Sequence, residues 1–415
     1  MKNDNLKIVI TGHVDHGKST LIGRILLDTN SLPKEKIAEI KKISRELGKD
    51  TELAYVADQL KEEREQNLTI DTTQIFFKTR GRNYVIIDAP GHAEFIKNMF
   101  TGATQAQAAV LIIDTNEGIM EQSRRHAYIL SMLDIKNVVV ACNKMDLIGY
   151  SQEKFNKIKS DFLKFLGNLD IKPLFFIPVS ARLGMNISNK SPQMKWYKGP
   201  YLLEALDDVR PEIDTALKPL RFSVQDIYDL DGERITVGKV LSGVIRKNQE
   251  VIILPEKKNS SVRYIRVFQQ ELAKAESGEN VGLVLGDSVS AVRGDIISEK
   301  ENLPHQTNQF KGDIFWMAEE PLVLNKKIVL RCATQEIECV AEKIEKRINS
   351  STLELLEENA KTLKTNEAGV VVFRTEKPIV LEAFDFIEEL GRFVIEQAYN
   401  IKGAGIITLK TNSKN

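Results

Sequence analysis

The residues Gly12-His13-Val14-Asp15-His16-Gly17-Lys18-Ser19 are the strongest indication of fold in the N-terminal half of the chain. It fits the pattern G-x-x-x-x-G-K-[ST], follows the apolar run Leu6–Ile10 and precedes a segment of helical periodicity, Ser19–Leu27. A loop between a strand and a helix can turn its backbone N–H groups inward, and the helix N-terminus adds a favourable dipole for an anion. The sequence therefore predicts a phosphate-binding loop, with Thr20 at the start of the helix also in contact.

Two side chains of this loop have specific predicted roles. Lys18 is placed to reach the β- and γ-phosphates of a nucleotide and to support catalysis there, and the Ser19 hydroxyl is a ligand for Mg²⁺. His13 and His16 are expected to act through their backbone and to take no part in catalysis. A glycine turn with an incidental lysine is the alternative, and the position between strand and helix argues against it.

Residues 1–212 alternate short apolar runs with segments of helix length, which predicts an α/β domain with a largely parallel sheet. The predicted strands are Leu6–Ile10, Tyr84–Ile87, Ala109–Ile113, Val138–Ala141 and Phe175–Pro178, and the later helices are Ser123–Leu133, Glu153–Leu166 and Tyr201–Val209. After residue 212 the sequence pattern changes to strand-like runs between turn residues, which predicts one or two small β-barrels or sandwiches. With a boundary at Leu303–Gln306, we expect all-β domains over 218–301 and 306–412. Glu382–Glu389 is expected to be the exposed face of a loop.

A base-recognition loop is predicted after the fourth strand, at Asn143-Lys144-Met145-Asp146. The Asp146 carboxylate can accept hydrogen bonds from N1–H and the exocyclic amino group of guanine, a pair of donors that adenine lacks. Lys144 can lie along the base plane, and Asn143 can tie this loop to the phosphate loop. Ser180-Ala181, after the last strand, offers a backbone N–H to guanine O6. The pattern favours a guanine nucleotide.

Residues that would sense the γ-phosphate are predicted in Asp88-Ala89-Pro90-Gly91-His92, which closes the second predicted strand. Asp88 can hold Mg²⁺ directly or through water, the Gly91 N–H can contact the γ-phosphate, and His92 can orient the attacking water. Upstream, Thr69 offers a second hydroxyl to Mg²⁺ on a loop that would order around the γ-phosphate. A plain turn with a surface histidine is the alternative. The motifs together predict a Mg²⁺-dependent GTPase.

Composition and charge make several other classes of protein less favoured. The 415 residues contain 58 Lys and Arg and 58 Asp and Glu, so the formal net charge of zero argues against a dedicated nucleic-acid or membrane-surface binder. The three cysteines form no C-x-x-C pair, which fits a reducing cytoplasm. We find no signal-peptide pattern and no apolar stretch long enough to span a bilayer.

The motifs Gly12–Lys18, Asp88–His92 and Asn143–Asp146 resemble those of the elongation factor Tu class of translational GTPases. Within that class the chain is similar to the GTP-binding subunits of bacterial sulfate adenylyltransferases, on short strings that occur in matching order. Those strings are Ser19–Arg24, Glu63–Gln66, Gln122–His126, Trp196–Pro200, Leu202–Glu204, Ile314–Met317 and Asn400–Gly405.

The resemblance implies a P-loop GTPase domain followed by two β-barrel domains, with GTP or GDP as the bound nucleotide and Mg²⁺ as cofactor. It also implies a partner, a smaller catalytic subunit that joins ATP and sulfate into adenosine 5′-phosphosulfate and pyrophosphate, helped by GTP hydrolysis. Asn67 and Ala89 depart from the usual residues of the class, and Asn67 bears on the flexibility of its loop.

Two alternatives remain open from the sequence. One is an elongation factor Tu-like translation factor that carries aminoacyl-tRNA, and the other is a GTPase of this subfamily that serves another sulfate- or nucleotidyl-transfer pathway. Residues 216–415 carry 28 basic and 30 acidic residues. Because RNA affinity depends on basic contacts, this slightly acidic balance argues against the translation role.

Overall fold

The computed structural model describes residues 5–32, 53, 73–88, 106–210, 215–230, 232–268, 270–286, 290–397 and 400–408, with only the backbone of residues 73, 74 and 88. The predicted site residues Thr69, Gly91 and His92 lie outside these ranges, as do Asn67 and Ala89. The chain divides into two compact units, one of Met1–Glu212 with Ser350–Thr352 and one of Ile213–Asn349 with Leu353–Asn415. Among the residues that the structure describes, no helix has both the length and the apolar character needed to cross a membrane.

The first unit is an α/β fold whose described strands form one sheet in the order β2-β3-β1-β4-β5-β6. Neighbouring strands are parallel except for the β2–β3 pair. The strands are β1 (Leu6–Gly12), β2 (Thr73–Lys78), β3 (Asn83–Asp88), β4 (Ala108–Asp114), β5 (Val138–Asn143) and β6 (Phe175–Pro178), and the helices are α1 (Lys18–Asp28), α2 (Glu121–Met132), α3 (Gln152–Gly167) and α4 (Leu202–Asp207). A 3₁₀ helix covers Met145–Ile148.

The central strands of this sheet are buried along almost their whole length. Every residue of β4 and β5 is buried, and β1 has one half-buried residue, Lys7. Continuous apolar runs rich in Val and Ile are what strands covered on both faces require. Because β1 lies between β3 and β4, its carboxyl end is at the point where strand order reverses, which is where open α/β sheets bind ligands.

Strand β2 was not among the predicted strands. The burial of its side chains alternates, with Ile75 and Phe77 buried and Phe76 52% exposed. It pairs only with β3, in antiparallel direction, at the edge of the described sheet. Its apolar run, Ile75–Phe77, has only three residues between Gln74 and Lys78, so it is shorter than the apolar runs that predict the other strands of this domain.

The second unit contains two β-barrels, as predicted. In the first, the β10–β11 pair closes the strand order β10-β15-β7-β8-β14-β11. Its strands are β7 (Arg221–Leu230), β8 (Glu233–Ser242), β9 (Val244–Arg246), β10 (Glu250–Leu254), β11 (Lys258–Val267), β12 (Gln270–Leu272), β13 (Lys274–Glu276), β14 (Asn280–Leu285) and β15 (Ile296–Ser298), after a 3₁₀ turn at Thr215–Leu217. Closure leaves few unpaired strand edges.

In the second barrel, the β18–β19 pair closes the order β18-β23-β24-β16-β22-β19. Its elements are β16 (His305–Trp316), β17 (Leu322–Val323), β18 (Lys327–Cys332), β19 (Gln335–Asn349), β20 (Leu355–Ala360), β21 (Thr362–Leu363), β22 (Glu367–Leu381), the short helix α5 (Glu388–Gly391), β23 (Arg392–Gln397) and β24 (Asn400–Ile407). The fold class is therefore an α/β domain followed by two all-β barrels.

A buried ion pair joins the two barrels within the second unit. Nε and Nη2 of Arg221 donate to Oε1 of Glu382 at 2.9 and 2.6 Å, and Nη1 donates to the Leu220 carbonyl and to Ser298 Oγ. The expectation that Glu382–Glu389 is an exposed loop face is wrong at three of its residues, because Phe384 and Ile387 are buried and Glu382 is only 5% exposed. Its partner lies 161 positions away, so no local pattern could reveal the pair.

Candidate nucleotide-binding site

The loop between β1 and α1 packs tightly against neighbouring strands at two glycines. A Cβ on Gly12 would lie 2.5 Å from the carbonyl oxygen of Ile112 in β4. Gly17 has φ +94°, and its Cβ would lie 2.5 Å from Nδ2 of Asn143 at the end of β5. Glycine at both positions therefore lets the loop backbone approach the carboxyl edge of the sheet, and Gly17 also supplies a left-handed conformation.

Lys18 lies in the curve of the loop at the start of α1. Its Nζ donates to the carbonyls of Gly12 at 2.7 Å and His13 at 3.0 Å. No side chain in the described structure caps the helix at Gly17, and Ser19 and Thr20 are half-buried in the first turn. A helix N-terminus without a side-chain cap, next to an ammonium group, suits a phosphate. The exposed residues Val14 and Asp15 form the tip of the loop.

Asn143 joins the phosphate loop to the loop after β6. Its Nδ2 donates to the His16 carbonyl at 2.9 Å, and its Oδ1 accepts from the Ala181 N–H at 2.9 Å. The side chain is buried, with 3% exposure, so water competes little for these bonds. One amide therefore fixes two predicted nucleotide-binding loops relative to each other.

Lys144 is held by a carboxylate that the sequence analysis did not identify. Its Nζ lies 2.7 Å from Oδ2 of Asp114, whose side chain is 2% exposed, at the end of the adjacent strand β4. Oδ1 of Asp114 accepts from the Asn116 N–H at 2.7 Å. Lys144 itself has φ +61°, which turns the chain directly after Asn143. The ion pair limits where the aliphatic part of Lys144 can lie beside a base.

The residues predicted to contact the base, Asp146, Ser180 and Ala181, lie on two loops at the same end of the sheet. Asp146 is half-buried in the 3₁₀ helix that follows β5. The Ser180 N–H donates to the Met185 carbonyl at 3.1 Å, and the Ala181 N–H donates to Asn143. Contact between Ala181 and guanine O6 therefore requires this N–H to be shared with Asn143, and the contact stays a prediction.

His13 and His16 have contrasting environments. His16 is fully buried, and the Asp114 N–H donates to its Nδ1 at 3.2 Å. Burial lowers the pKa of His16, and a neutral ring is the form that can accept this bond. His13 is half-buried and bonds through Nδ1 to the Gln122 side chain. His16 therefore supports the loop from beneath, through its side chain as well as its backbone.

The residues available for Mg²⁺ fit a hard cation in their chemistry. Ser19 offers a hydroxyl in the first turn of α1, and Asp88 ends β3, where its backbone is in register with Ile10 of β1 just before the phosphate loop. Hydroxyl and carboxylate oxygens are the donors that Mg²⁺ prefers. The Asp88 side chain, Thr69, Gly91 and His92 are outside what the structure describes, so their roles stay predictions.

Three family models match the chain in the order of its domains. The elongation factor Tu GTP binding domain matches residues 3–212, elongation factor Tu domain 2 matches 233–298, and the GTP-eEF1A C-terminal domain-like model matches 309–408. The chain belongs to the elongation factor Tu family of GTPases. It is accordingly a GTPase that binds guanine nucleotides, which confirms the prediction from its motifs.

Relatives of this GTPase carry two kinds of name. It is 38% identical to elongation factor 1-alpha of Pyrococcus furiosus over 97% of each chain. It is also 38% identical to sulfate adenylyltransferase subunit 1 of Alteromonas mediterranea, over 98% of this chain and 87% of that protein. The corresponding protein of Shewanella woodyi is 37% identical, over 97% of this chain and 87% of its own length. The predicted resemblance to both groups is confirmed.

The sequence analysis assigned no role to Asp114 or Arg24, which contact the predicted base-site residues Lys144 and Ala181. Asp114 ends the apolar run of β4, beside Asn143 in the next strand, so the strand order would have revealed it. Arg24 lies within the quoted string Ser19–Arg24, one and a half turns into α1. Its guanidinium reaches the loop that contains Ala181, which lies 157 positions further along the chain.

Proposed function

We propose that this GTPase is the GTP-binding subunit of a cytoplasmic sulfate adenylyltransferase. A partner subunit would join ATP and sulfate into adenosine 5′-phosphosulfate and pyrophosphate, and GTP hydrolysis here would drive that reaction. The observation that carries the proposal is similarity over 97–98% of the chain to two proteins named sulfate adenylyltransferase subunit 1. The motif strings from Ser19–Arg24 to Asn400–Gly405 support the same choice.

The proposed domains are a GTPase domain over 1–212 and β-barrels over 218–301 and 306–412. Two observations support these boundaries. Helix α4 ends at Asp207 and β7 begins at Arg221, while β15 ends at Ser298 and β16 begins at His305. The ion pair of Arg221 and Glu382 connects the barrels, so we expect them to move together when the nucleotide changes.

The nucleotide would be held from both of its ends. Lys18 and the N-terminus of α1 bind the phosphates, with the backbone of Gly12–Ser19 around them. Asp146 accepts from guanine N1–H and its amino group, Lys144 lies along the base, and Ala181 donates to O6. Asn143 keeps the two groups of contacts at a fixed separation.

Hydrolysis requires an oriented water and neutralised phosphate charge. His92 would orient the water in line with the γ-phosphate, and Lys18 would stabilise charge that builds up on the phosphate oxygens. Ser19, Thr69 and Asp88 would hold Mg²⁺, which neutralises the phosphate charge when bound. Once the γ-phosphate has left, Thr69 and the Gly91 N–H would lose the contacts that hold them in place.

The transfer of this change to a partner has an energetic requirement. Moving an equilibrium from 1:99 to 99:1 requires about 5.5 kcal/mol of differential binding. One hydrogen bond contributes about 1 kcal/mol, so several switch contacts must change together. Thr69, Gly91 and His92, from two separate stretches of the sequence, would provide such a set.

A translation role is the second candidate. The elongation factor 1-alpha of Pyrococcus furiosus matches this chain at the same identity as the Alteromonas protein and over more of its own length. Such a factor would carry aminoacyl-tRNA and time its release by GTP hydrolysis. The 28 basic and 30 acidic residues of 216–415 disfavour it, because tRNA binding needs an excess of basic contacts.

A pull-down with two nucleotide states tests these candidates. The chain, loaded with a non-hydrolysable GTP analogue or with GDP, is exposed to native cytosol at moderate salt. We expect the analogue-loaded form to retain a protein that releases pyrophosphate only when both ATP and sulfate are supplied. Adding that protein, ATP and sulfate should also accelerate GTP hydrolysis by the chain.

The controls separate the outcomes. The Lys18→Ala variant, which should not hold the analogue, gives the background retention. Retention of aminoacyl-tRNA, without any protein of the expected activity, would overturn the proposal in favour of the translation role. RNA that is retained only at low salt is non-specific and does not support that role.

A further inference from the structure

Arg24 holds the loop after β6 from a position outside the nucleotide motifs. It lies on α1, and its Nε donates to the Ala181 carbonyl at 3.1 Å while Nη2 donates to the Arg182 carbonyl at 2.6 Å. A guanidinium is a planar fork of donors, so it can hold two successive carbonyls at once. The loop that it holds is the one predicted to contact guanine O6.

The guanidinium is itself fixed by an acidic neighbour on the same helix. Nη1 of Arg24 lies 3.4 Å from Oδ1 of Asp28, one turn later, and Oδ2 of Asp28 accepts from Ser188 Oγ at 2.7 Å. The side chains of Arg24 and Asp28 are only 17% and 15% exposed, so solvent screens this pair less than a surface pair. Arg24 and Asp28 therefore connect α1 to both ends of the segment 181–188.

The peptide groups of Ala181 are held from two directions. Its carbonyl accepts from Arg24, and its N–H donates to Asn143, which also bonds the phosphate loop. Helix α1 begins with Lys18 and Ser19 at the predicted phosphate site. The first turn of α1 therefore lies at the predicted phosphate site, and a later turn of the same helix is hydrogen-bonded to the loop that contains Ala181.

We propose that Arg24 is a positioning residue for guanine recognition: it holds the Ala181 loop so that this loop can meet O6 of the base. The proposal rests on the predicted base contacts of Ala181 and Asp146. In this proposal, recognition of the two edges of guanine depends on different residues. The O6 edge depends on Arg24 through Ala181, whereas the 2-amino edge depends on Asp146.

Three nucleotides distinguish these edges. GDP and IDP share O6 and N1–H, but IDP lacks the 2-amino group that Asp146 would read. ADP carries an amino group in place of O6 and lacks N1–H. Loss of Arg24 should therefore weaken GDP and IDP equally, leave the ratio of their affinities unchanged, and reduce the preference for GDP over ADP.

The experiment measures dissociation constants of the full chain for GDP, IDP and ADP by calorimetry at fixed Mg²⁺. Arg24→Ala removes the two charged hydrogen bonds to the Ala181 and Arg182 carbonyls, and we expect about 10- to 100-fold weaker binding of both GDP and IDP. Arg24→Lys, which keeps the charge but not the fork, should be intermediate. Lys164→Ala is the matched control, since Lys164 is another helical cation with an acidic neighbour, Asp161, and its side chain is 78% exposed. It should leave all three affinities unchanged.

Several outcomes would overturn the proposal. Unchanged GDP affinity in Arg24→Ala would show that the loop does not need Arg24. A changed ratio of GDP to IDP affinity would place the effect at Asp146 instead. If Arg24→Ala does not fold, as judged by circular dichroism, the same criteria apply to Arg24→Lys.

Asp146→Asn separates this proposal from the base-site assignment beneath it. If Asp146→Asn leaves the ratio of GDP to IDP affinity unchanged, the base-site assignment is wrong, and the proposal for Arg24 is wrong with it. If Asp146→Asn alters that ratio and Arg24→Ala has no effect, only the role of Arg24 is wrong.

Discussion

Replacing Gly17 with alanine tests whether the tie through Asn143 controls nucleotide affinity. The added methyl group would lie 2.5 Å from Nδ2 of Asn143, whereas carbon atoms in good contact lie about 3.5 Å or more from their neighbours. The Asn143 amide must therefore shift by about 1 Å. It cannot do so while Nδ2 bonds the His16 carbonyl and Oδ1 accepts from Ala181, both at 2.9 Å.

The expected magnitude has two parts. An alanine at φ +94° costs about 1 kcal/mol of folding free energy because of its left-handed backbone. Loss of the two hydrogen bonds of Asn143 costs about 2 kcal/mol, at about 1 kcal/mol for each bond. Because nucleotide binding must restore the arrangement of both loops, the second part reappears as GDP affinity about 30-fold lower than in the wild type.

Gly278→Ala is the matched control for the backbone cost. Gly278 has φ +90°, and a Cβ there would meet no atom within 4 Å. We expect this variant to lose about 1 kcal/mol of unfolding free energy, measured in urea, and to keep its GDP affinity, measured by calorimetry. The difference in GDP affinity between Gly17→Ala and Gly278→Ala therefore measures the effect of the clash with Asn143 alone.

A double-mutant cycle completes the test. In an Asn143→Ala background the clash is absent, so Gly17→Ala should cost only its backbone term there, and GDP affinity should fall little further. The reasoning is refuted if Gly17→Ala binds GDP within 3-fold of the wild type. It is equally refuted if the effects of Gly17→Ala and Asn143→Ala on affinity are additive.

Three further substitutions have defined outcomes. Asp114→Asn removes the charged partner of Lys144 and should lower GDP affinity about 10-fold in a calorimetric titration, with wild-type affinity contradicting a role in the base site. Burial lowers the pKa of His16 below its usual 6.5, so the unfolded chain takes up a proton that the folded chain resists. As the pH is lowered from about 6.5, the unfolding free energy should therefore decrease, by at most about 1.4 kcal/mol per pH unit. The decrease should be less steep in His16→Gln, as urea titrations at saturating GDP would show. Glu382→Leu leaves the Arg221 charge buried and should cost about 3–5 kcal/mol in urea unfolding, most of it recovered by adding Arg221→Met, and equal stability of single and double variants would contradict this.

The fold could be predicted from sequence because its signals are local. The apolar run Phe175–Pro178 coincides with β6, and the pattern of Glu153–Leu166 lies within one residue of α3 at each end. Strand β2 was missed because its apolar run, Ile75–Phe77, is only three residues long and lies between polar residues. An apolar run of three residues is too short to identify a strand from the sequence pattern alone.

The site was predictable where its residues are contiguous and not where its contacts cross the fold. The contiguous residues Gly12–Ser19 predict a loop that binds phosphate through its backbone N–H groups. The partner of Lys144 depends on which strand lies beside β5, and the partner of Ala181 depends on which face of α1 meets its loop. Pairs of this kind follow from strand order and helix packing, which a motif does not contain.

These cross-fold contacts make the predicted phosphate and base sites one connected unit. Asn143 bonds the phosphate loop at His16 and the base loop at Ala181, and Arg24 bonds Ala181 from the other side. A displacement of any one of these groups therefore removes support from the next. Substitutions at the two ends of the site should consequently show coupled rather than additive effects on GDP affinity, with the strongest coupling between residues that share a bond to Ala181.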